Sequence, residues 1–317
     1  MHAPLFWKDK TRISTALLPA AAVYGLVAGF RQRHAAPARL QVPVICIGNV
    51  VVGGSGKTPV ALALGELLKT QGKNAHYLTR GYKGRLKGPV RVDPAVHTAL
   101  DVGDEPLLLA SVLPTWVAKN RVEGAEAAVA AGAEYIVMDD GFQNHTLHKD
   151  ISLLVIDGAY GFGNERLLPA GPLREPVAEA MKRADAVVLM GDDRHGALGQ
   201  VSVPVLHAQI VPLLLPPGLK DVPLLAFAGI ARPRKFYRTL QQLGLDVRKM
   251  IAYPDHYVFK RRDLDHLHGK AREYEARLVT TAKDYVRLPQ ELRADISVMP
   301  VKAVFNDNAA LLSLVLK

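Results

Sequence analysis

The sequence predicts an α/β fold: a P-loop NTPase-like, mainly parallel sheet with a second, smaller α/β lobe joined by a β connector. Three observations carry this. The stretch Val42 to Leu68 runs from an apolar strand through a glycine turn and Lys-Thr into an apolar-periodic helix. Further apolar runs then alternate with helical segments, the pattern of a parallel sheet covered by helices. After a proline-interrupted stretch near 201–222 the alternation restarts on a smaller scale. The implied parts are an N-terminal region over 1–40, a P-loop core over 41–200, a connector over 201–222 and a small lobe over 223–317.

In the N-terminal region, Lys8, Lys10, Arg12, Arg31, Arg33 and Arg39 flank the apolar run Ala16 to Phe30. That run is shorter than the roughly 20 residues a spanning helix needs, and Pro19 and its glycines weaken it. A basic start before an apolar run also fits a signal peptide, but a secreted nucleoside-triphosphate-using protein would lack its nucleotide. Two readings stay open: an apolar helix docked on a membrane surface by basic anchors, or a helix packed on the protein's own core. The formal net charge of +10 suits anionic lipid, a phosphorylated substrate or nucleic acid. Cys46 is the only cysteine, which excludes an intrachain disulfide and a zinc–cysteine cluster.

Val42 to Ile47 reads as a buried strand, and Val60 to Leu68 as a helix with Pro59 near its first turn. Between them, Val51, Val52, Gly53, Gly54, Ser55, Gly56, Lys57 and Thr58 form the candidate ATP-binding turn. Glycines let backbone N–H groups converge on a phosphate, and the helix N-terminus adds positive potential. Lys57 can reach the terminal phosphates, and the Thr58 hydroxyl can ligate magnesium. Val51 stands where the strict pattern has glycine.

Asn74 to Thr79 reads as a strand, followed by the cationic loop Arg80 to Gly84. Asp104 precedes a helical segment, Leu107 to Leu113, and on local grammar it is as good a helix cap as a catalytic acid. Val122 to Ala131 reads as helix. Three apolar strands end near acids: Glu134 to Met138 at Asp139-Asp140, Ile151 to Ile156 at Asp157, and Ala186 to Met190 before Asp192. The paired acids followed by glycine make Asp139 and Asp140 the choice for holding magnesium. Residues 167–176 carry enough proline and glycine to exclude regular structure, and Arg174 and Glu175 there are candidates for substrate or phosphate contacts. In the small lobe the expected elements are strand Pro223 to Gly229, helix Pro233 to Leu243, strand Asp246 to Ala252, helix Asp263 to Tyr274, strand Arg277 to Thr281, strand Ile296 to Val301 and a terminal helix Ala309 to Leu316. Asp255-His256 follows one of these strands, and an Asp–His pair can orient a proton carrier.

The ordered set IGNVVVGGSGKTP (47–59), TRGY (79–82), GDEP (103–106), DDGFQ (139–143), RLLPAGPLREP (166–176), AFAGIARP (226–233), YPDHYVF (253–259) and TTAKD (280–284) resembles the tetraacyldisaccharide 4'-kinases, the lipid A 4'-kinases of Gram-negative bacteria. The resemblance implies transfer of the ATP γ-phosphate to the 4'-hydroxyl of an acylated glucosamine disaccharide 1-phosphate, giving the 1,4'-bisphosphate (lipid IVA), with Mg2+ as cofactor. It implies Lys57 on phosphates and Thr58, Asp139 and Asp140 around magnesium. It makes Asp104 the base for the sugar hydroxyl, assisted by His256. Arg80, Glu105, Arg174, Glu175 and Asp255 follow as secondary site residues. The implied place is the cytoplasmic face of the inner membrane, peripheral or monotopic, with a lipid acceptor and no nucleic-acid or protein partner. Many members carry histidine directly after Asp-Asp-Gly-x-Gln, where this chain has Asn144 and then His145. The rival readings are a P-loop GTPase or metal-insertion NTPase, and a non-catalytic membrane-bound ATP sensor. Thr281-Ala282-Lys283-Asp284 has the letters of a guanine-reading segment but the wrong spacing.

Overall fold

A computed structural model of the chain describes residues 4–213 and 215–316. Residues 1–3 of the expected N-terminal region, Leu214 in the expected connector and Lys317 at the end of the expected small lobe lie outside them.

The strands are β1 (Val44–Gly48), β2 (Ala75–Thr79), β3 (Val90–Arg91), β4 (Thr115–Val117), β5 (Tyr135–Asp139), β6 (Ile151–Asp157), β7 (Ala186–Met190), β8 (Val205–Pro212), β9 (Leu224–Ala228), β10 (Val247–Ala252), β11 (Arg277–Thr281), β12 (Ile296–Met299) and β13 (Val301–Phe305). Nine of them make one sheet in the order β13-β8-β7-β6-β1-β5-β2-β4-β3. Its pairs are parallel except the two edge pairs, β13–β8 and β3–β4. The other four form an all-parallel sheet, β10-β9-β11-β12. The P-loop strand β1 is therefore flanked by the two acid-ended strands β5 and β6.

Alternation along each strand explains the layering. In β1, Ile45 and Ile47 face the helix Lys57–Thr70 and bury with Val60, Leu64 and Leu68. Val44 and Cys46 face the opposite layer with Met138 and Phe142. The small lobe repeats this, with Leu224, Ala226 and Ala228 on one side and Leu225 and Phe227 on the other. Gly65 lets the P-loop helix lie on β2: a Cβ there would sit 1.8 Å from the Tyr77 hydroxyl, which donates to the Ala61 carbonyl at 2.9 Å.

Several expected boundaries change. The helix expected at Leu107–Leu113 runs Asp104–Leu109, because Gly103, at φ 92°, turns the chain directly into it. The connector is not a free-standing linker, since β8 is an integral strand of the large sheet. The single strand expected over Ile296–Val301 is two strands in different sheets, broken at Pro300, which lacks the N–H a continuous ladder needs. The chain thus returns to the large lobe for β13 and the helix Asn308–Val315, whose Leu311 and Val315 share the core of the P-loop helix. The expected small lobe over 223–317 ends at residue 299 in structural terms.

At the N-terminus, the helix Arg12–Ala16 precedes the helix Leu18–Arg33, where Pro19 sits in the first turn rather than breaking it. The segment is tied down by Asn164, whose amide donates to the Phe6 carbonyl at 2.9 Å, and by Arg166, which donates to Ser14 Oγ at 2.8 Å. Only Ala21 of the long helix is buried. Val23, Leu26, Val27 and Phe30 are exposed along one face, so core packing does not account for this helix. Among the described residues no helix is long and apolar enough to cross a membrane.

Candidate active site

The P-loop wraps the carboxyl end of β1. Gly53 (φ 120°) and Gly56 (φ 96°) hold left-handed backbone that a side chain would strain. Asn49 braces the turn from within: its amide donates to the Val51 carbonyl at 2.6 Å and to Ser55 Oγ at 2.9 Å. Val51, in the unusual position, pairs with Leu173, and the Val52 N–H donates to the Pro172 carbonyl at 2.9 Å. The irregular 166–176 segment is thus a wall of the nucleotide turn, which gives Val51 a structural reason.

Lys57 Nζ donates to Asn49 Oδ1 at 3.2 Å and lies 3.6 Å from Asp140 Oδ1. The Thr58 hydroxyl donates to Asp139 Oδ2 at 3.0 Å. Asp139 is almost wholly buried, and its other oxygen, Oδ1, has no hydrogen-bond partner. Burial raises its pKa well above the usual carboxylate range, helped by Glu105 and Asp140 and opposed by Lys57. Asp140 takes left-handed backbone at φ 55°. Burial works against its charge too, but Lys57 and Arg174 hold it below the usual range. Arg174 donates to Asp140 and to Gln143 Oε1, each at 3.0 Å. Glu175 pairs with Arg183 and accepts from Gln143 at 3.0 Å, so Arg174 and Glu175 do not pair with each other. An orphaned buried carboxylate oxygen beside a threonine hydroxyl is the donor set of a hard divalent cation that shares its shell with phosphate and water. Asp157 and Asp192 do not compete: Asp157 pairs with Arg232, and the Asp192 side chain is exposed.

A second constellation spans the lobes. Asp104 is the first helical residue rather than the cap, and it is 4% exposed. His256 Nδ1 lies 3.0 Å from Asp104 Oδ2, and with a carboxylate opposite, Nδ1 carries the proton. Arg287 Nε donates to the same oxygen at 2.6 Å, and Lys283 Nζ is 4.0 Å away. Burial pushes the Asp104 carboxyl up, but the donors from His256, Lys283 and Arg287 outweigh it and leave the group far below the usual range. Lys283 also pairs with Glu105 Oε1 at 2.8 Å. Asp255 Oδ2 lies 3.9 Å from His256 Nε2. The Tyr82 ring meets the imidazole edge-on, centroids 5.5 Å apart.

Of the sequence candidates, Arg80 is exposed, and no hydrogen bond or ion pair ties it to another described residue. It does face Arg121, which is buried; burial, then Arg80, push the Arg121 pKa down to about 10. Lys283 and Asp284, the letters that suggested a guanine reader, are taken up by Glu105 and Arg287 at the lobe contact. Asn144 caps a local turn, its Oδ1 accepting from Thr146 Oγ1 and the Leu147 N–H, and His145 lies in a groove away from the P-loop. Sequence reasoning missed Asn49, Gln143, Lys283, Asp284 and Arg287. All but Arg287 sit inside the quoted signatures, which was the available signal.

A family model described as tetraacyldisaccharide-1-P 4'-kinase (LpxK) matches residues 13–317. The chain is 49% identical over 317 residues to the tetraacyldisaccharide 4'-kinase of Rhodospirillum centenum, covering 97% of this chain and 94% of that one. It is 48% identical to the corresponding enzyme of Parvibaculum lavamentivorans, covering 99% and 96%. Among solved structures it resembles LpxK from Aquifex aeolicus in complex with ATP, with a TM-score of 0.79, 29% identity and coverage of 96% and 98%.

Proposed function

Since the chain belongs to the tetraacyldisaccharide-1-P 4'-kinase family, we infer that its two constellations together transfer the γ-phosphate of ATP to the 4'-hydroxyl of a tetraacyldisaccharide 1-phosphate, forming the 1,4'-bisphosphate of lipid A biosynthesis. The observation that carries this is the pairing of a P-loop with an Asp104–His256 unit held across the lobes at 3.0 Å. A nucleotide binder that only senses ATP has no use for a buried Asp–His pair held across its two lobes.

The P-loop amides and Lys57 hold and neutralise the transferred phosphate. Lys57 leaves Asp140 to do so, and Arg174 remains to balance that carboxylate. Thr58, Asp139 and Asp140 would hold Mg2+, which supplies charge neutralisation on the phosphates when bound. Asp104 is saturated by cationic donors and makes a poor base, so its role differs from the one expected. It orients His256, whose Nε2 accepts the 4'-hydroxyl proton during attack. Asp255 steadies the far side of the ring. Glu105 is neutralised by Lys283 near Asp139. Exposed Arg80, next to the buried Arg121, adds positive potential that would favour an anionic acceptor. The exposed apolar face of the Leu18–Arg33 helix would rest on the membrane that carries the acceptor.

The test is a transfer assay in detergent with γ-labelled ATP, Mg2+ and the tetraacyldisaccharide 1-phosphate. Wild type labels the lipid, and Lys57→Ala lowers the rate about 100-fold or more. Nucleotide hydrolysis with no lipid labelling would overturn the reading.

A further inference from the structure

We propose that Arg287 is a positioning residue for the transfer reaction: from the small lobe it clamps the Asp104 carboxylate of the large lobe and fixes the backbone that presents His256. The proposal rests on the kinase reading above and adds a residue to it.

The connections converge on one guanidinium. Arg287 Nε and Nη2 both donate to Asp104 Oδ2, the oxygen that also faces His256. Arg287 Nη1 donates to the Gly229 carbonyl at 2.6 Å and to Asp284 Oδ1 at 3.0 Å. The same Gly229 carbonyl accepts the His256 N–H at 2.9 Å. Asp284 Oδ1 accepts the Gly229 N–H at 2.9 Å, and Asp284 Oδ2 accepts from Thr281 Oγ1 at 2.7 Å. Gly229 has no room for change, since a Cβ there would meet Asp284, the Pro254 carbonyl and Tyr257 at 3.1 Å each. His256 itself holds left-handed backbone at φ 57°, a conformation that persists only where neighbours impose it. Arg287 is thus bonded both to the carboxylate that orients the imidazole and to the carbonyl that pins its backbone. Its side chain is 4% exposed, and four of its five N–H donors are bonded here.

A planar fork suits this task better than a point charge, because four N–H bonds to three acceptor oxygens are made at once. The charged groups facing the pair are Arg287, Lys283, Glu105, Asp255 and Asp284, with the Tyr82 ring edge-on to the imidazole. Removing the Arg287 charge leaves Lys283 as the nearest cation, shared with Glu105. Protonation of the Asp104–His256 pair then becomes easier, so the acid limb of the pH–rate profile moves to higher pH.

The experiment compares wild type, Arg287→Met and Arg287→Lys in the lipid-labelling assay over pH 5–9. Arg287→Met is expected to lose about 100-fold in kcat with the KM for ATP unchanged, and its acid limb is expected to move up by about one pH unit. Arg287→Lys, which keeps charge but not the fork, is expected to recover the limb and only part of kcat. Wild-type kcat in Arg287→Met, or a loss with the limb unmoved, would overturn the proposal. Should Arg287→Met fail to fold, Arg287→Lys with wild-type kcat would overturn it alone. Failure of the wild type to label lipid would instead strike the kinase reading.

Discussion

His145 illustrates how local surroundings decide what a conspicuous residue does. It lines a groove of about 460 Å³ with Lys149 and Arg183, under the end of the N-terminal helix. Burial and these two cations push its pKa down to about 4. In the unfolded chain a histidine titrates near 6.5, so between pH 6.5 and 4 the unfolded state binds more protons. Stability therefore falls as the pH drops through that window. His145→Gln is expected to lose less melting temperature than wild type between pH 7 and pH 5. The difference should be on the order of 1 kcal/mol after allowance for solvent screening of a half-exposed ring. Equal acid sensitivity in both proteins, read by thermal melts, would remove His145 from the account. What was legible at this scale follows the same logic. Lys57 and Thr58 sit on one turn, and Asp139 and Asp140 on one strand end, each pair marked by a local motif, and the β1–β5 pairing brings the two together. Arg287 reaches Asp104 across 183 positions of sequence, and nothing local marks it.

Among the elements, the helix Leu18–Arg33 carries the clearest consequence. Val23, Leu26, Val27 and Phe30 recur at helical spacing and are 62%, 75%, 48% and 64% exposed, so they form one stripe rather than scattered apolar residues. Arg31 and Arg33 close its last turn, where cations favour both the helix end and an anionic surface. Replacing Val23, Leu26 and Phe30 together by glutamate is expected to abolish sedimentation with anionic vesicles. The melting temperature should stay within about 1–2 °C, because these side chains bury nothing. Retained vesicle binding would shift the membrane contact elsewhere. The apolar run was readable from the sequence, but its exposure was not, because a buried helix and a membrane-facing one have the same composition. The end of the chain failed for another reason. Pro300 reads as a flaw within one strand, whereas it marks where the chain leaves one sheet for another. Sheet membership is a long-range pairing that hydropathy does not encode.

At the scale of the whole molecule, the second constellation is held together only while the lobes are docked, since Asp104 and its partners His256 and Arg287 lie on opposite lobes. Two chain crossings join them, next to β8 and at Pro300, and they touch where the Leu213 N–H donates to the Pro300 carbonyl at 2.9 Å. Paired crossings of this kind leave both sheets intact when one lobe rotates against the other, which is what a hinge requires. Opposing that rotation are Asp104 with His256 and Arg287, Glu105 with Lys283, and a separate latch beside the P-loop. In the latch, Arg232 pairs with the buried Asp157 at the end of β6 and stacks over Tyr160 at 4.8 Å, with Lys235 3.9 Å from the same carboxylate. The latch also brings Ala231 against Gly54 of the nucleotide turn. Arg232 takes no part in proton handling, but it lines a small cavity with Gly53, Gly54 and Ser55, so scattering of the nucleotide-free protein, and not KM by itself, reads docking. In Arg232→Met the buried carboxylate keeps the Ala159 N–H and, as its only cation, the more distant Lys235, and the docked population falls. If only the docked state binds productively, the KM for ATP rises as the inverse of the docked fraction, so a variant docked about one tenth of the time would show about a tenfold higher KM. Small-angle scattering of the nucleotide-free variant should show a larger radius of gyration than wild type, and saturating ATP should restore the wild-type value. The double variant Arg232→Met with Asp157→Asn should recover part of the affinity, because it no longer strands a charge. A variant with unchanged scattering and unchanged KM would mean that the Asp104 cluster and the Lys283–Glu105 pair suffice to hold the lobes together. Lobe docking would then be fixed by the catalytic contacts themselves and would not be separable from them.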